Sequence, residues 1–329
     1  MIRFLACVPF VVASLLYSVS AAAELKAADV LADMGFPSSA EKTILSGKFV
    51  KADVEGSNER ELAVAMAFLV KLPPQELIEK LQGDLLLDVD PDAIAHVRIQ
   101  AGLADFAKLT LSPDGKNQTG LYRDAEPGDD LNLSTEEIAA FQALKGKPDS
   151  AVEDQVRKQL LGRYEAYRKK GLGGIAPYAR DGDPTDPAAD LKSAIEASSG
   201  IQKYAPNFYK VLAGYPDAPA PGFEEGFNWV SYRAHGTPVF ILTHGFSMQD
   251  GDVIAVCQRQ FYVSASYNVE QAVAGFLPVK EGTVVLYVNR TSTDQVTGFG
   301  GSAKRSIGSK LLASQLEGLF TSLQKAAAE

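Results

Sequence analysis

A chain of 329 residues with 41 acidic and 32 basic side chains carries a formal net charge of −9. That balance argues against binding nucleic acid and against electrostatic attachment to anionic lipid, since both need a basic surface. Hydrophobic residues make up 46% of the chain, enough to bury a sizeable core in one large domain or two small ones.

Residues 1–23 read as an export signal. Arg3 supplies the positive charge, "FLACVPFVVASLLYSV" the apolar stretch, and "SAAAE" a small-residue cleavage site after Ala23. The stretch is short for a span of ~20 residues, and Cys7 comes too early for a lipidated cysteine. The expectation is a periplasmic or secreted protein with no transmembrane segment once the signal is cleaved. Cys257 is then the one remaining cysteine, so no internal disulfide forms and stability must come from the core.

The mature chain opens on a hairpin over 48–72, in which "KFVKADV" and "ELAVAMAFLVKL" flank the turn residues "EGSNE". Pro73 and Pro74 end the second strand. Pro74 suits a first helical turn, where its missing N–H costs nothing, and Leu77, Ile78 and Leu81 share one helical face. Residues 83–133 hold short apolar runs between Asp, Gly and Pro. A helical section follows: Ser134 and Glu137 form a capping-box pattern, and Val152, Val156, Leu160, Leu161, Tyr164 and Tyr167 make a stripe at steps of three and four. "RDGDPTDP" reads as a surface loop, "LKSAIEAS" and "APNFYKVLAGY" as helices, and "PDAPAPG" as a Pro-rich link. Beyond it come four predicted strands, "FNWVSYRA", "PVFILTHGFSM", "DVIAVCQRQFYVSASYNV" and "TVVLYVNRT", with tight turns at Asp250-Gly251 and at 280–282. A helix from about Ser302 closes the chain, with Ile307, Leu311, Leu312, Leu316, Leu319, Phe320 and Leu323 on one stripe.

Several stretches imitate catalytic or binding motifs and fail on detail. Gly298, Gly300 and Ala303 fit the dinucleotide fingerprint, but only one helix follows, leaving no second strand for a βαβ unit. The glycines better serve a sharp reversal from strand to helix. "PVFILTHGFS" imitates an α/β-hydrolase strand, yet no G-x-S-x-G occurs and no histidine lies beyond His244. Asp88, Asp90 and Asp92 imitate calcium-loop positions, but Ala93 and Ile99 stand where glycine and a chelating carboxylate are needed. The histidines contain no H-E-x-x-H pattern, and with one mature cysteine neither a metal site nor a cofactor is expected.

The terminal helix needs an apolar surface of matching length. Alternation along 253–263 puts Val253, Ala255, Cys257, Phe261 and Val263 on one face, interrupted by Arg259, with Gln258, Gln260 and Tyr262 opposite. The helix is expected to cover the first of these faces. Strand, then "LPPQELIEKL", then a meander closed by a long helix, resembles the START/Bet v 1-like (SRPBCC, helix-grip) superfamily. "LYVNRTSTDQVTGFGGSAKRSIGSKL" is similar to the C-terminal end of an uncharacterised group of exported bacterial proteins. The likeness covers 223–326 and, more loosely, 46–82, whereas 83–222 is longer and more helical than the superfamily's usual centre.

The resemblance implies an α+β fold, a curved antiparallel sheet gripping a long C-terminal helix. It implies a single domain over 24–329 with a helical insertion around 134–215, and a pocket for a hydrophobic small molecule or lipid. Inward-facing polar residues are then of interest. Arg259 is a candidate anchor for a ligand's polar group, because a charge on an apolar strand face is costly unless paired or used. The alternative is an edge position or a salt bridge to an insertion carboxylate. Trp229, Tyr232, Tyr267 and Tyr287 are candidate wall residues, and equally ordinary cross-strand packing. Lys304 and Arg305 are candidates for meeting an anionic head group at the last helix's start. The leading expectation is an exported, non-catalytic binder of a hydrophobic molecule. The alternatives are an envelope interaction module with a closed cavity and a cyclase- or hydrolase-type enzyme.

Overall fold

The computed structural model describes residues 25–82, 93–113, 115–128, 130–234 and 237–326. The signal segment and the Asp88–Asp90–Asp92 run lie outside the described residues, as does the side chain of Leu81.

Two short helices, α1 (Ala27–Asp33) and α2 (Ala40–Leu45), precede β1 (Val50–Ala52) and β2 (Glu61–Val70). Then come α3 (Pro74–Gln82), which starts on Pro74, and β3 (Ala93–Arg98). Six helices occupy the centre among the described residues: α4 (Thr119–Arg123), α5 (Thr135–Gln142), α6 (Asp149–Lys170), α7 (Pro187–Glu196), α8 (Ser199–Tyr204) and α9 (Pro206–Gly214). The capping box at α5 forms, with Glu137 N–H donating to Ser134 Oγ and Ser134 N–H to Glu137 Oε2. Five long strands follow, β4 (Glu224–Ala234), β5 (Thr237–Asp250), β6 (Val253–Val263), β7 (Val269–Val279) and β8 (Gly282–Ser292), then α10 (Gly301–Ala326). The strand expected over 252–269 therefore ends at Val263, and β7 over Val269–Val279 is a fifth strand where four are expected. The run of Ser264, Ala265 and Ser266 turns instead of continuing, with Ser266 at φ 85°.

The strands form one curved, open antiparallel sheet in the order β1-β2-β8-β7-β6-β5-β4-β3. The N-terminal hairpin is attached to the meander through β2, which pairs along its whole length with β8 from Glu61↔Ser292 to Val70↔Thr283. Both faces of the sheet are covered, which is why β2, β5 and β6 are buried almost throughout instead of alternating with solvent.

The helices divide between the two faces by side-chain size. In β2, Leu62, Val64, Met66, Phe68 and Val70 point to one side and Ala65, Ala67 and Leu69 to the other. The large side receives α10: Leu312, Leu316, Phe320 and Leu323 pack there, and Phe320 stacks on Phe68 with ring centroids 4.8 Å apart. This corrects the expected face. Ile254 and Val256 share the α10 side, whereas Val253, Ala255 and Cys257 lie beneath α1, α2 and α9. The row of bulky side chains on β2 supplies the surface the helix needs, and β6 does not have to. Within the stripe, Ile307 and Leu311 stay exposed and only the later turns are buried.

A bulge corrects the assignment of Tyr262 and Val263. Leu242 pairs with Tyr262 and Thr243 with Gln260, so Phe261 is the extra residue. Phe261 and Tyr262 both turn toward α6, and Val263 returns to the α10 side. On that helical side α5, α6 and α7 cover Trp229, Phe240, Leu242 and Phe261, forming an apolar cluster separate from the one under α1, α2 and α9. Gly298 and Gly300, at φ 70° and 74°, make the reversal from β8 into α10.

Candidate functional site

A row of polar residues crosses the helical face between these two apolar clusters. The register aligns Phe227, His244, Arg259, Gln271 and Arg290 on five consecutive strands. Arg259 is wholly buried, at 0% exposure. Its Nε donates to Gln271 Oε1 at 3.0 Å, Nη1 to the Tyr167 hydroxyl at 3.1 Å and Nη2 to the Leu212 carbonyl at 2.8 Å. The Phe246 ring lies 5.0 Å from its Cζ. Helices α6 and α9 thus position the guanidinium. In turn α9 is fixed by Asp250 at the end of β5, which accepts from Asn207 N–H and Phe208 N–H at 2.6 and 3.0 Å. No described carboxylate forms an ion pair with Arg259.

The chain of hydrogen bonds continues to the surface. Glu225 Oε2 lies 2.9 Å from His244 Nε2, and the Tyr167 hydroxyl lies 3.1 Å from Nδ1. With Nε2–H donating to the carboxylate, Nδ1 accepts from Tyr167, whose oxygen accepts from Arg259. Every contact is satisfied by a neutral imidazole. Burial drives the His244 pKa down to about 4, outweighing the hydrogen bond and charge of Glu225, which act to raise it. The ring lies between Phe227 and Phe246, 4.1 and 3.7 Å between centroids. Burial likewise raises the Tyr167 hydroxyl to about 12 and the Cys257 thiol to about 12.

At the other end of the row, Arg290 is 7% exposed and its Nη1 donates to Glu61 Oε2 at 2.6 Å. Its Nε and the Gln271 Nε2 are buried and have no hydrogen-bond partner. Beside Arg290 opens a partly enclosed cleft of about 140 Å³, between the sheet and helices α1 and α8. Its floor is made of small or aliphatic residues of four strands, among them Ala65, Ala255, Val273, Gly275, Leu286 and Val288. Val30, Met34, Ile201 and Tyr204 form its roof. The floor is concave because Ala255, Gly275 and Ala65 carry little or no side chain where their neighbours carry Val or Leu.

The opposite face holds a second polar row, one residue displaced along each strand: Asn228, Thr243, Gln260, Glu270 and Thr291. Gln260 Nε2 donates to Glu270 Oε1 at 3.0 Å and the Tyr267 hydroxyl donates to Gln260 Oε1. Asn289 Nδ2 donates to the Tyr287 hydroxyl at 3.3 Å. Burial raises the Glu270 carboxyl to about 7, against the opposing hydrogen bonds of Asn289 and Thr291. Buried polar atoms of Asn228, Thr243 and Gln258 on this side lack partners.

The residues singled out in the sequence therefore do not converge. Arg259 belongs to the helical face. Tyr232, Tyr267 and Tyr287 belong to the α10 face, where Tyr287 meets Phe320 with centroids 4.8 Å apart. Trp229 is buried under the central helices, stacked at 5.8 Å on Phe106 and donating from Nε1 to the Asp105 carbonyl at 2.9 Å. Lys304 donates to the Thr297 carbonyl and Arg305 to the Glu59 carbonyl, both near the surface. Arg290, Gln271 and the cleft were missed. Arg290 carried the same signal as Arg259, a charge in the alternation of an apolar strand.

Among the described residues, no helix is long and apolar enough to cross a membrane and no group of His, Cys, Asp and Glu is placed to hold a metal ion. No family model, curated protein or solved structure matches the chain.

Proposed function

We propose that this is an exported, non-catalytic binding protein for a small hydrophobic molecule, held in the cleft between the sheet and helices α1 and α8. The observation that carries the reading is the cleft's form: a preformed concavity, apolar apart from Ser198, Ser199, Tyr204 and Arg290 among its side chains. Binding sites for small molecules have this composition, an apolar wall with a few placed polar groups. Its volume sets the size of the occupant. An apolar protein cavity of roughly 150 Å³ accommodates benzene, so the cleft takes a molecule or a chain end of that size, with the remainder of a longer ligand outside.

In this reading the architecture is of helix-grip type, with 134–215 as a helical insertion. It is supported by the order strand, α3, meander, α10, by the pairing of β2 with β8, and by α10 packing along β2. The ligand lies on the far side of the sheet from α10, at a place the insertion helps to build through α8.

Thermal unfolding with and without benzene tests the proposal, using the wild type and Gly275→Leu. A Cβ at position 275 meets nothing closer than Val253 Cγ1 at 3.6 Å, so a larger side chain there fills the cleft without striking backbone. Benzene should raise the melting temperature of the wild type and leave the variant unmoved. A wild-type melting temperature indifferent to benzene overturns the reading.

A further inference from the structure

We infer that the molecule taken by the cleft carries an anionic end, a carboxylate, seated against Gln271 and Arg290. The inference rests on the cleft being the binding site, and it adds the chemistry of one end of the occupant.

Two buried guanidinium groups flank Gln271 in the register, Arg259 on β6 and Arg290 on β8. Glu61 lies against Arg290 and neutralises it, but Arg259 has hydrogen-bond partners that are all uncharged: Gln271, Tyr167 and Leu212. A buried cation without a counter-ion is costly, and its nearest relief is an anion brought to the same place. The donors for such an anion are present and unused. Gln271 Oε1 is held by Arg259 Nε, which fixes the amide's orientation and leaves Nε2 unpartnered; Arg290 Nε is unpartnered too. Both atoms are closed off from bulk solvent, whereas buried N–H groups in folded proteins nearly always find an acceptor. Arg290 lines the cleft and Gln271, its partner in the register, lies beyond the lining, so an acceptor at this end meets Arg290 first and Gln271 behind it.

Charge decides between a neutral acceptor and an anion. Beside the Glu61–Arg290 pair alone, a carboxylate would leave a net negative charge buried. With Arg259 next along the row beyond Gln271 and bonded to uncharged groups alone, it meets a second guanidinium, while Glu225 stays at the row's far end against His244. The occupant is thus a small monocarboxylate whose apolar body matches the cleft.

Isothermal titration at pH 7 with benzene, methyl benzoate and benzoate tests this. These probes share a ring and differ in the polar end. Benzoate should bind at least about tenfold more tightly than methyl benzoate, the usual worth of a charge-assisted hydrogen bond over a neutral one. Equal or weaker binding of benzoate overturns the anionic end while leaving the cleft in place. Failure of all three probes to bind removes the cleft function and this inference with it. Two variants separate the donor from the fold. Gln271→Leu should abolish the preference for benzoate and keep binding of benzene. Gln271→Glu places a carboxylate between the two guanidinium groups from within the chain. It should raise the melting temperature and erase the benzoate preference, and a lowered melting temperature overturns the inference.

Discussion

Glu270 and Thr291 face one another across β7 and β8, with the Thr291 hydroxyl 3.0 Å from Glu270 Oε2 and 2.8 Å from Asn289 Oδ1. One hydroxyl hydrogen cannot serve two acceptors. With Glu270 protonated, its carboxyl donates to Thr291, Thr291 donates to Asn289, and Gln260 donates to the other carboxyl oxygen. The network is complete in the acid form, in agreement with burial holding the carboxyl up to about 7.

A pH dependence follows from that shift. The folded pKa lies above the ordinary value of 4.5, so the folded state binds the proton more tightly than the unfolded one. The stability this contributes is fully present below about pH 4.5 and is lost as pH rises through 7, an effect on the order of 3 kcal/mol. Glu270→Gln keeps a donor toward Thr291 and an acceptor toward Gln260 without the charge. Urea unfolding should find the variant more stable than wild type at pH 8, with the difference shrinking toward pH 5. A variant that is the less stable at pH 8 contradicts the assignment.

His244 gives the opposite sign. Its folded pKa of about 4 lies below the ordinary 6.5, so the folded state resists protonation. Stability from this group is complete above pH 6.5 and is lost as pH falls toward 4. His244→Gln can still bond Glu225 or Tyr167 but takes no proton. The difference in unfolding free energy between wild type and variant should therefore change between pH 7 and pH 4.5, in favour of the variant at the acid end. A difference that stays constant across this range would show that the ring is not held neutral.

Tyr167 joins the two halves of that chain, and losing its hydroxyl leaves Arg259 Nη1 and His244 Nδ1 without their partner. Tyr167→Phe retains the ring stacked on Phe261 at 4.0 Å and removes only the polar link. The expected cost is about 1–3 kcal/mol, the penalty for an unsatisfied buried group. Denaturant titration at pH 7 measures it, and a loss well under 0.5 kcal/mol would mean that water replaces the hydroxyl.

Part of this arrangement is legible in the sequence. Alternation along β6 puts Val253, Ala255, Cys257, Arg259 and Phe261 on one face, and the structure keeps all five on the helical side of the sheet. The same logic fails for Tyr262 and Val263, since the bulge at Phe261 depends on how Leu242 and Thr243 of another strand are spaced. Arg259 stood out as a charge among apolar neighbours, but its partners come from positions 167, 212 and 271, which no local pattern ties to it. The cleft is harder still to read. Its floor is defined by what Ala255, Gly275 and Ala65 lack, and its roof by short helices far away in sequence. The choice of face for α10 was recoverable in principle from "LAVAMAFLV", where large and small side chains alternate.

That choice of face can be tested where α10 crosses β2. A Cβ built on Gly308 would lie 2.9 Å from Leu62 Cδ2 and 3.1 Å from Cδ1, and Leu62 is fully buried, so the leucine has to shift within a packed core. An exposed mid-helix glycine replaced by alanine normally gains about 1 kcal/mol. Here the overlap should outweigh the gain, so Gly308→Ala lowers stability by about 1 kcal/mol or more. Leu62→Ala removes the obstacle at the cost of a cavity. Placing Gly308→Ala on that background should restore the helix-propensity gain, giving a coupling between the two sites on the order of 1–2 kcal/mol in a double-mutant cycle. If Gly308→Ala alone stabilises the protein and the two changes are additive, α10 does not rest on Leu62, and the assignment of the helix to this side of the sheet fails.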